Sequence, residues 1–259
     1  MAYFPLSLRQ CHVMVYRYKS TRTNMKIPVL YLLLFIFLVS TAGCTGLEGE
    51  FEEEESTSER LKILALHGGG DTPEGLRGQL GMQDLISDLP EFEFFFADAP
   101  ENDSMCNQCW YADPPGGKGE PTKDRNWADV SIAYLDEVVV EHGPFYGILG
   151  YSQGCPMATV YIANSNITFE KVFLFNGYLP TTHSGLNDTI NEASPLNTDA
   201  LIFGGNNDVF IFGVDELSGV YFEPTVLVSS TADHHLPDSN DETYQDVLAF
   251  FREGVNGTV

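Results

Sequence analysis

GPFYGILGYSQGCP, residues 143–156, places Ser152 between Gly150 and Gly154, directly after the apolar run FYGILG and before residues of helical character. Glycine is the usual residue where backbone must bend sharply, so a glycine-rich turn is the simplest reading. A second reading is chemical. A strand that turns straight into a helix holds the residue at its apex in a strained conformation, with the side-chain oxygen exposed. The helix N-terminus then aims free backbone N–H groups, that of Gln153 foremost, at the place where negative charge would develop beside that oxygen. Pro156 fits because it falls in the first helical turn. A lone G-x-S-x-G carries little weight; its strand and helix flanks give it meaning.

Working outward, continuous apolar runs alternate with segments of helical period. LKILALH (61–67), EFEFFFADAP (91–100), FYGILG (145–150), KVFLFNG (171–177), DALIFGG (199–205) and PTVLVSS (224–230) read as strands. Helices are expected at 74–89, where Leu76, Leu80, Leu85 and Leu89 recur, and at 127–142, 153–164 and 240–254. Unbroken apolar strands separated by helices indicate an α/β fold with a mostly parallel central sheet and helices on both faces. Residues 101–124 form a long Pro- and Gly-containing loop, and loops of that length in such folds commonly act as functional lids.

In such a sheet, ligands sit beyond the C-terminal strand ends. Three polar residues fall there: Ser152 after GILGY, Asp208 after LIFGGNN, and His235 after TVLVSSTADH. A serine hydroxyl is a weak nucleophile that needs a base. An imidazole can take its proton and return it to the leaving group, and a carboxylate fixes the imidazole tautomer. The chain order Ser, Asp, His is that of α/β-hydrolases. His234 competes with His235, and DHHLPD also admits a metal reading with Asp233 and Asp238, although no further ligands stand at a matching strand end. The second oxyanion donor is expected in HGGGD, at Gly69, with His67 shaping that loop. HGGGD lacks the Lys-Ser/Thr pair of a phosphate-binding loop. The chemistry expected needs neither metal nor cofactor.

Composition sets the surroundings. Of the 259 residues, 43% are hydrophobic and 12% aromatic, enough for one sizeable core. There are 13 Lys and Arg residues against 37 Asp and Glu, and five of the basic residues precede position 45. A surface this acidic repels phosphate backbones, so nucleic acid is not an expected partner. IPVLYLLLFIFLVSTA, residues 27–42, follows Lys26 and suits a signal-peptide core; residues 1–44 then form a signal peptide, with Met25 as an alternative start, or else a signal anchor. Either places the C-terminal domain in the secretory lumen or outside the cell, touching membrane only through an uncleaved leader. Residues 45–60 read as an acidic linker and 61–259 as the folded domain. Sequons at Asn102, Asn166, Asn187 and Asn256 fit that route, as does a local disulfide between Cys106 and Cys109. Cys155 reads as a small buried residue.

Taken in order, ILALHGGG, FFFADAP, CWYAD, GPFYGILGYSQG and HHLP resemble the FSH-type family of small serine hydrolases, over about Leu61 to Arg252. The resemblance implies an α/β-hydrolase fold with Ser152 as nucleophile, Asp208 as acid, His235 as base, and the backbone of Gly69 and Gln153 as oxyanion donors. It also implies that Trp110 and Tyr111 wall an acyl pocket. His235 is preferred to His234 by its distance from Pro237, since this chain has DHHLP where relatives carry Gly-Gly-His before the apolar residue and proline. The expected activity is cleavage of a small carboxylic ester or thioester through an acyl-enzyme. The alternatives are acyl transfer from the same intermediate, or a non-catalytic binding module on the same fold.

Overall fold

Six parallel strands lie in the order β2-β1-β3-β4-β5-β6 in the computed structural model, which describes residues 60–100, 107–114 and 121–255. They are β1 (Leu61–Leu66), β2 (Phe92–Ala97), β3 (Gly147–Tyr151), β4 (Lys171–Phe175), β5 (Asp199–Gly205) and β6 (Thr225–Ser229). The expected leader, the sequons at Asn102 and Asn256, Cys106 and nearly all of the acidic linker lie outside the described residues. Among the described residues, no helix is long and apolar enough to cross a membrane.

Side chains on a strand alternate between faces, and here both faces are buried. Leu64, Leu66, Ile148, Val172, Leu174 and Ile202 enter one core, while Ile63, Ala65, Leu149, Phe173, Phe175 and Leu201 enter the other. The first core is covered by α3 (Asp129–His142), α4 (Gly154–Asn164), α5 (Ser184–Ala193) and α6 (Gly213–Ser218). The second is covered by α1 (Pro73–Gly78), α2 (Leu80–Asp88) and α7 (Tyr244–Arg252), with Phe251 stacked on Phe173 at 3.7 Å between ring centres. Two covered faces are what near-continuous apolar strands require.

Three expectations need correction. The helix expected at 74–89 is two helices, broken at Gln79, whose backbone is extended (φ −62, ψ 139). The break puts Gly81 against the chain at Leu236 and Pro237, where a Cβ would lie 2.5 Å from the Pro237 carbonyl oxygen and 2.6 Å from that of Leu236. It also leaves Leu80, one of the four leucines that suggested a single helix, 58% exposed. Helices α5 and α6 were not expected: α5 buries only Gly185, Leu186 and Ile190, too little for a clear helical period, and α6 is six residues long. At the sheet edge, β6 is covered on one face only, with Leu227 packed against the second core and Val226 and Val228 more than 40% exposed.

From β1 the chain passes outward to β2 and then returns to the other side of β1 as β3. This reversal opens a crevice beyond the ends of β1 and β3, where open α/β sheets bind ligands. Residues 67–70 follow β1 there, and Ser152 follows β3.

Candidate active site

Ser152 has φ +52, a left-handed conformation rare for a side-chain-bearing residue. Its N–H donates to Phe175 O (3.1 Å), and its carbonyl accepts from Cys155 N–H (3.0 Å), so the turn is held from the next strand and from α4. The flanking glycines have steric causes. A Cβ on Gly150 would lie 2.5 Å from Gly154 O, and one on Gly154 would lie 2.3 Å from Leu66 O, on β1. Strand and helix can approach this closely only where both positions lack side chains.

Asp208 follows β5 in a tight turn, its side chain fully buried. One carboxylate oxygen accepts the Phe210 N–H (2.9 Å); the other lies 2.9 Å from His234 Nδ1. His234 Nε2 lies 3.0 Å from Ser152 Oγ. A carboxylate only accepts, so Nδ1 carries the proton and Nε2 is left free to accept from the serine hydroxyl. The structure thus joins Ser152 and Asp208 through His234 rather than His235. Adjacent residues of the turn after β6 point apart: His235 is directed outward, with Nε2 3.2 Å from Asp233 Oδ1 and Nδ1 donating to Leu236 O (2.9 Å). Backbone anchors fix this orientation. Tyr151 Oη donates to His234 O (2.7 Å), and Asn176 Nδ2 donates to His235 O (2.6 Å). Spacing to Pro237 selects His235, the ring that points outward; these carbonyl anchors set His234 inward instead. Among the described residues, no group of three or more His, Cys, Asp or Glu side chains is arranged to hold a metal ion.

Gly69 and Gln153 lie beside Ser152 and line the same cleft, and among the described residues their backbone N–H groups find no acceptor. Two donors beside the nucleophile are the arrangement an oxyanion requires. The loop that supplies Gly69 is shaped by His67, fully buried, as expected. Nε2 accepts the Ala99 N–H (3.1 Å), so Nδ1 donates to Gly68 O (2.7 Å), and the His67 carbonyl accepts the indole N–H of Trp110 (2.8 Å).

Two supporting side chains escaped the sequence reading. The Gln153 side chain accepts the Trp110 N–H through Oε1 (3.1 Å) and donates to Tyr111 O through Nε2 (3.0 Å), tying the segment 107–114 to the elbow. Asn176, assigned to a strand by its apolar neighbours, instead has φ +52; its Oδ1 accepts the Gly205 N–H (2.9 Å) while its Nδ2 holds the histidine turn. It braces the acid and base loops together.

The cleft above Ser152 has a volume of about 890 Å³. Tyr111 lines it, and burial, followed by the neighbouring Tyr178 and Asp113, holds the Tyr111 phenol well above its ordinary pKa. Trp110 does not: it is fully buried in the first core, bonded to His67, so its part is structural. Cys155 is free and buried, and loss of solvation raises its thiol pKa and keeps it protonated. Cys109 is disulfide-bonded and buried. Of the described sequons, Asn166 is exposed, whereas Asn187 lies on α5 with a buried Oδ1 that has no hydrogen-bond partner.

A family model described as "Serine hydrolase (FSH1)" matches residues 57–246. Esterase FUS5 of Gibberella fujikuroi is 26% identical over 200 residues, covering 71% of this chain and 83% of its own length. Esterase C25G4.2 of Caenorhabditis elegans is 24% identical over 213 residues, covering 76% and 96%. Among solved structures, esterase PE8 superposes with a TM-score of 0.56 at 17% identity, covering 75% of this chain and 92% of that one. Arabidopsis thaliana SOBER1 superposes with a TM-score of 0.55 at 20% identity, covering 76% and 100%. These structural likenesses concern the fold, an α/β-hydrolase fold. The family match runs through the elbow, the acid loop and the histidine turn alike, and on that ground the chain belongs to the FSH1 family of serine hydrolases.

Proposed function

We propose that the protein hydrolyses carboxylic esters or thioesters through an acyl-enzyme on Ser152, with His234 as base and Asp208 as its anchor. The observation that carries this is the unbroken Ser152–His234–Asp208 relay, with contacts of 3.0 and 2.9 Å, on a serine at positive φ. Ser152 Oγ adds to the substrate carbonyl as its proton passes to His234 Nε2. Asp208 stabilises the imidazolium across the Nδ1 bond. The oxyanion so formed accepts from the N–H groups of Gly69 and Gln153. Collapse expels the alcohol or thiol, which takes the proton from Nε2. Water, deprotonated by the same nitrogen, then adds to the acyl carbonyl; collapse releases the carboxylic acid and returns the proton to Ser152. The names of the esterase relatives support ester substrates for this chain as well. Purified protein should release acid and alcohol from short neutral esters and bind a fluorophosphonate covalently at Ser152, and Ser152→Ala should abolish both. Full turnover by Ser152→Ala would defeat the proposal.

Export remains part of the reading. The apolar run 27–42, the disulfide-bonded Cys109 and the exposed sequon at Asn166 support entry into the secretory route. Mature N-terminal sequencing and endoglycosidase treatment test this. An uncleaved, unglycosylated cytosolic product would overturn it.

A further inference from the structure

We propose that the cleft over Ser152 recognises a substrate with a cationic group, most specifically a quaternary or protonated ammonium, held by the Asp113 carboxylate and the ring of Tyr178. The proposal rests on the serine-hydrolase reading of the same cleft and adds the charge class of its substrate.

Asp113 lines the cleft and is half-buried, and among the described residues its carboxylate has neither an ion-pair nor a hydrogen-bond partner. Every other described group on the cleft wall is neutral or a histidine: no described Lys or Arg lines it. His183, the histidine outside the relay, is committed, with Nε2 donating to Ala112 O (2.9 Å) and Nδ1 accepting from Thr182 Oγ1 (3.1 Å). Burial lowers its pKa and keeps it uncharged, so it does not neutralise Asp113. The carboxylate acts on its aromatic neighbours too. Burial comes first in raising the phenols of Tyr111 and Tyr178, the latter to about 12, and Asp113 adds to both, so these rings remain neutral. Tyr178 stacks on Phe210, 4.9 Å between ring centres, and Phe210 in turn lies 5.1 Å from the His234 ring, so the aromatic wall reaches the nucleophile.

Neutral aromatic faces beside an unpaired carboxylate attract a desolvated cation, and weakly hydrated ammonium groups gain most from such a wall. The same groups repel phosphate and sulfonate, because a half-buried carboxylate is poorly screened. Anionic thioesters should therefore be poor substrates and neutral esters intermediate.

The test is protection of Ser152 from a fluorophosphonate in the purified full chain, by butyltrimethylammonium or by butanesulfonate. The ammonium should protect at concentrations about tenfold below those of the sulfonate. Asp113→Asn should remove most of that difference, and Tyr178→Leu, which keeps the carboxylate, should weaken ammonium protection alone. Circular dichroism of both variants confirms folding. Equal protection by the two ions, or an unchanged preference in Asp113→Asn, overturns the proposal while leaving the nucleophile assignment intact. If Ser152 resists the probe, the proposed mechanism fails instead. Calorimetric titration with the same two ions needs no covalent chemistry, so it still decides the charge preference.

Discussion

The two adjacent histidines give the sharpest test of the site. His234→Ala removes the group whose Nε2 lies 3.0 Å from Ser152 Oγ and whose Nδ1 lies 2.9 Å from buried Asp208. Loss of the base from a comparable triad lowers kcat on the order of 10⁶-fold, equivalent to about 8 kcal/mol of transition-state stabilisation. His235→Ala removes an exposed contact with Asp233 at 3.2 Å and a bond to Leu236 O, and touches nothing in the cleft. Exposed pairs contribute about 0–1 kcal/mol, so stability should fall by no more than that, and kcat should stay within about threefold. Steady-state hydrolysis of a short neutral ester, with urea unfolding of each variant, separates the two. Added imidazole should restore part of the His234→Ala rate and leave His235→Ala unchanged. Comparable kcat losses in the two variants, or more than a hundredth of wild-type activity in His234→Ala, would refute the assignment.

Gln153→Ala keeps the backbone N–H beside Ser152 but frees the segment at Trp110 and Tyr111. Two lost hydrogen bonds should cost about 1–3 kcal/mol in urea unfolding, and KM should rise more than kcat falls in ester kinetics. Gly154→Ala would press a Cβ to 2.3 Å from Leu66 O, on central β1; since backbone must move, a loss of at least about 3 kcal/mol is expected, read as a lower urea midpoint or insoluble protein. His183 is held below its ordinary pKa of 6.5, chiefly by burial. The unfolded chain therefore binds the extra proton first: stability from the neutral ring is intact above about pH 6.5 and declines as pH falls from there toward the lowered folded value. Urea midpoints across pH 5–7 should show that slope, and His183→Gln should flatten it.

What could be read from the sequence was chemistry held within one short stretch. Gly150, Ser152 and Gly154 announce a tight strand-to-helix turn because the steric demand, a helix N-terminus against β1, falls on the glycines themselves. Asp208 was visible because it stands three residues past the end of an apolar strand. His234 was not, because what separates it from His235 is non-local: Tyr151 and Asn176, 83 and 59 residues away from the carbonyls they bind, decide which ring turns inward. Trp110 failed for a similar reason. Its large aromatic side chain suggests a pocket wall, yet its indole N–H is bonded to the His67 carbonyl across 43 residues, and that bond draws the ring into the core. The division at Gln79 follows the same rule, since it is what brings Gly81 against the distant chain at Leu236 and Pro237. A catalytic residue can thus be legible as a type at a strand end while its identity depends on side-chain donors at other strand ends that bind the carbonyls of its own turn. For this fold, the side chains to read after the nucleophile are the polar groups at the C-terminal ends of β3 and β4, because those groups aim the base.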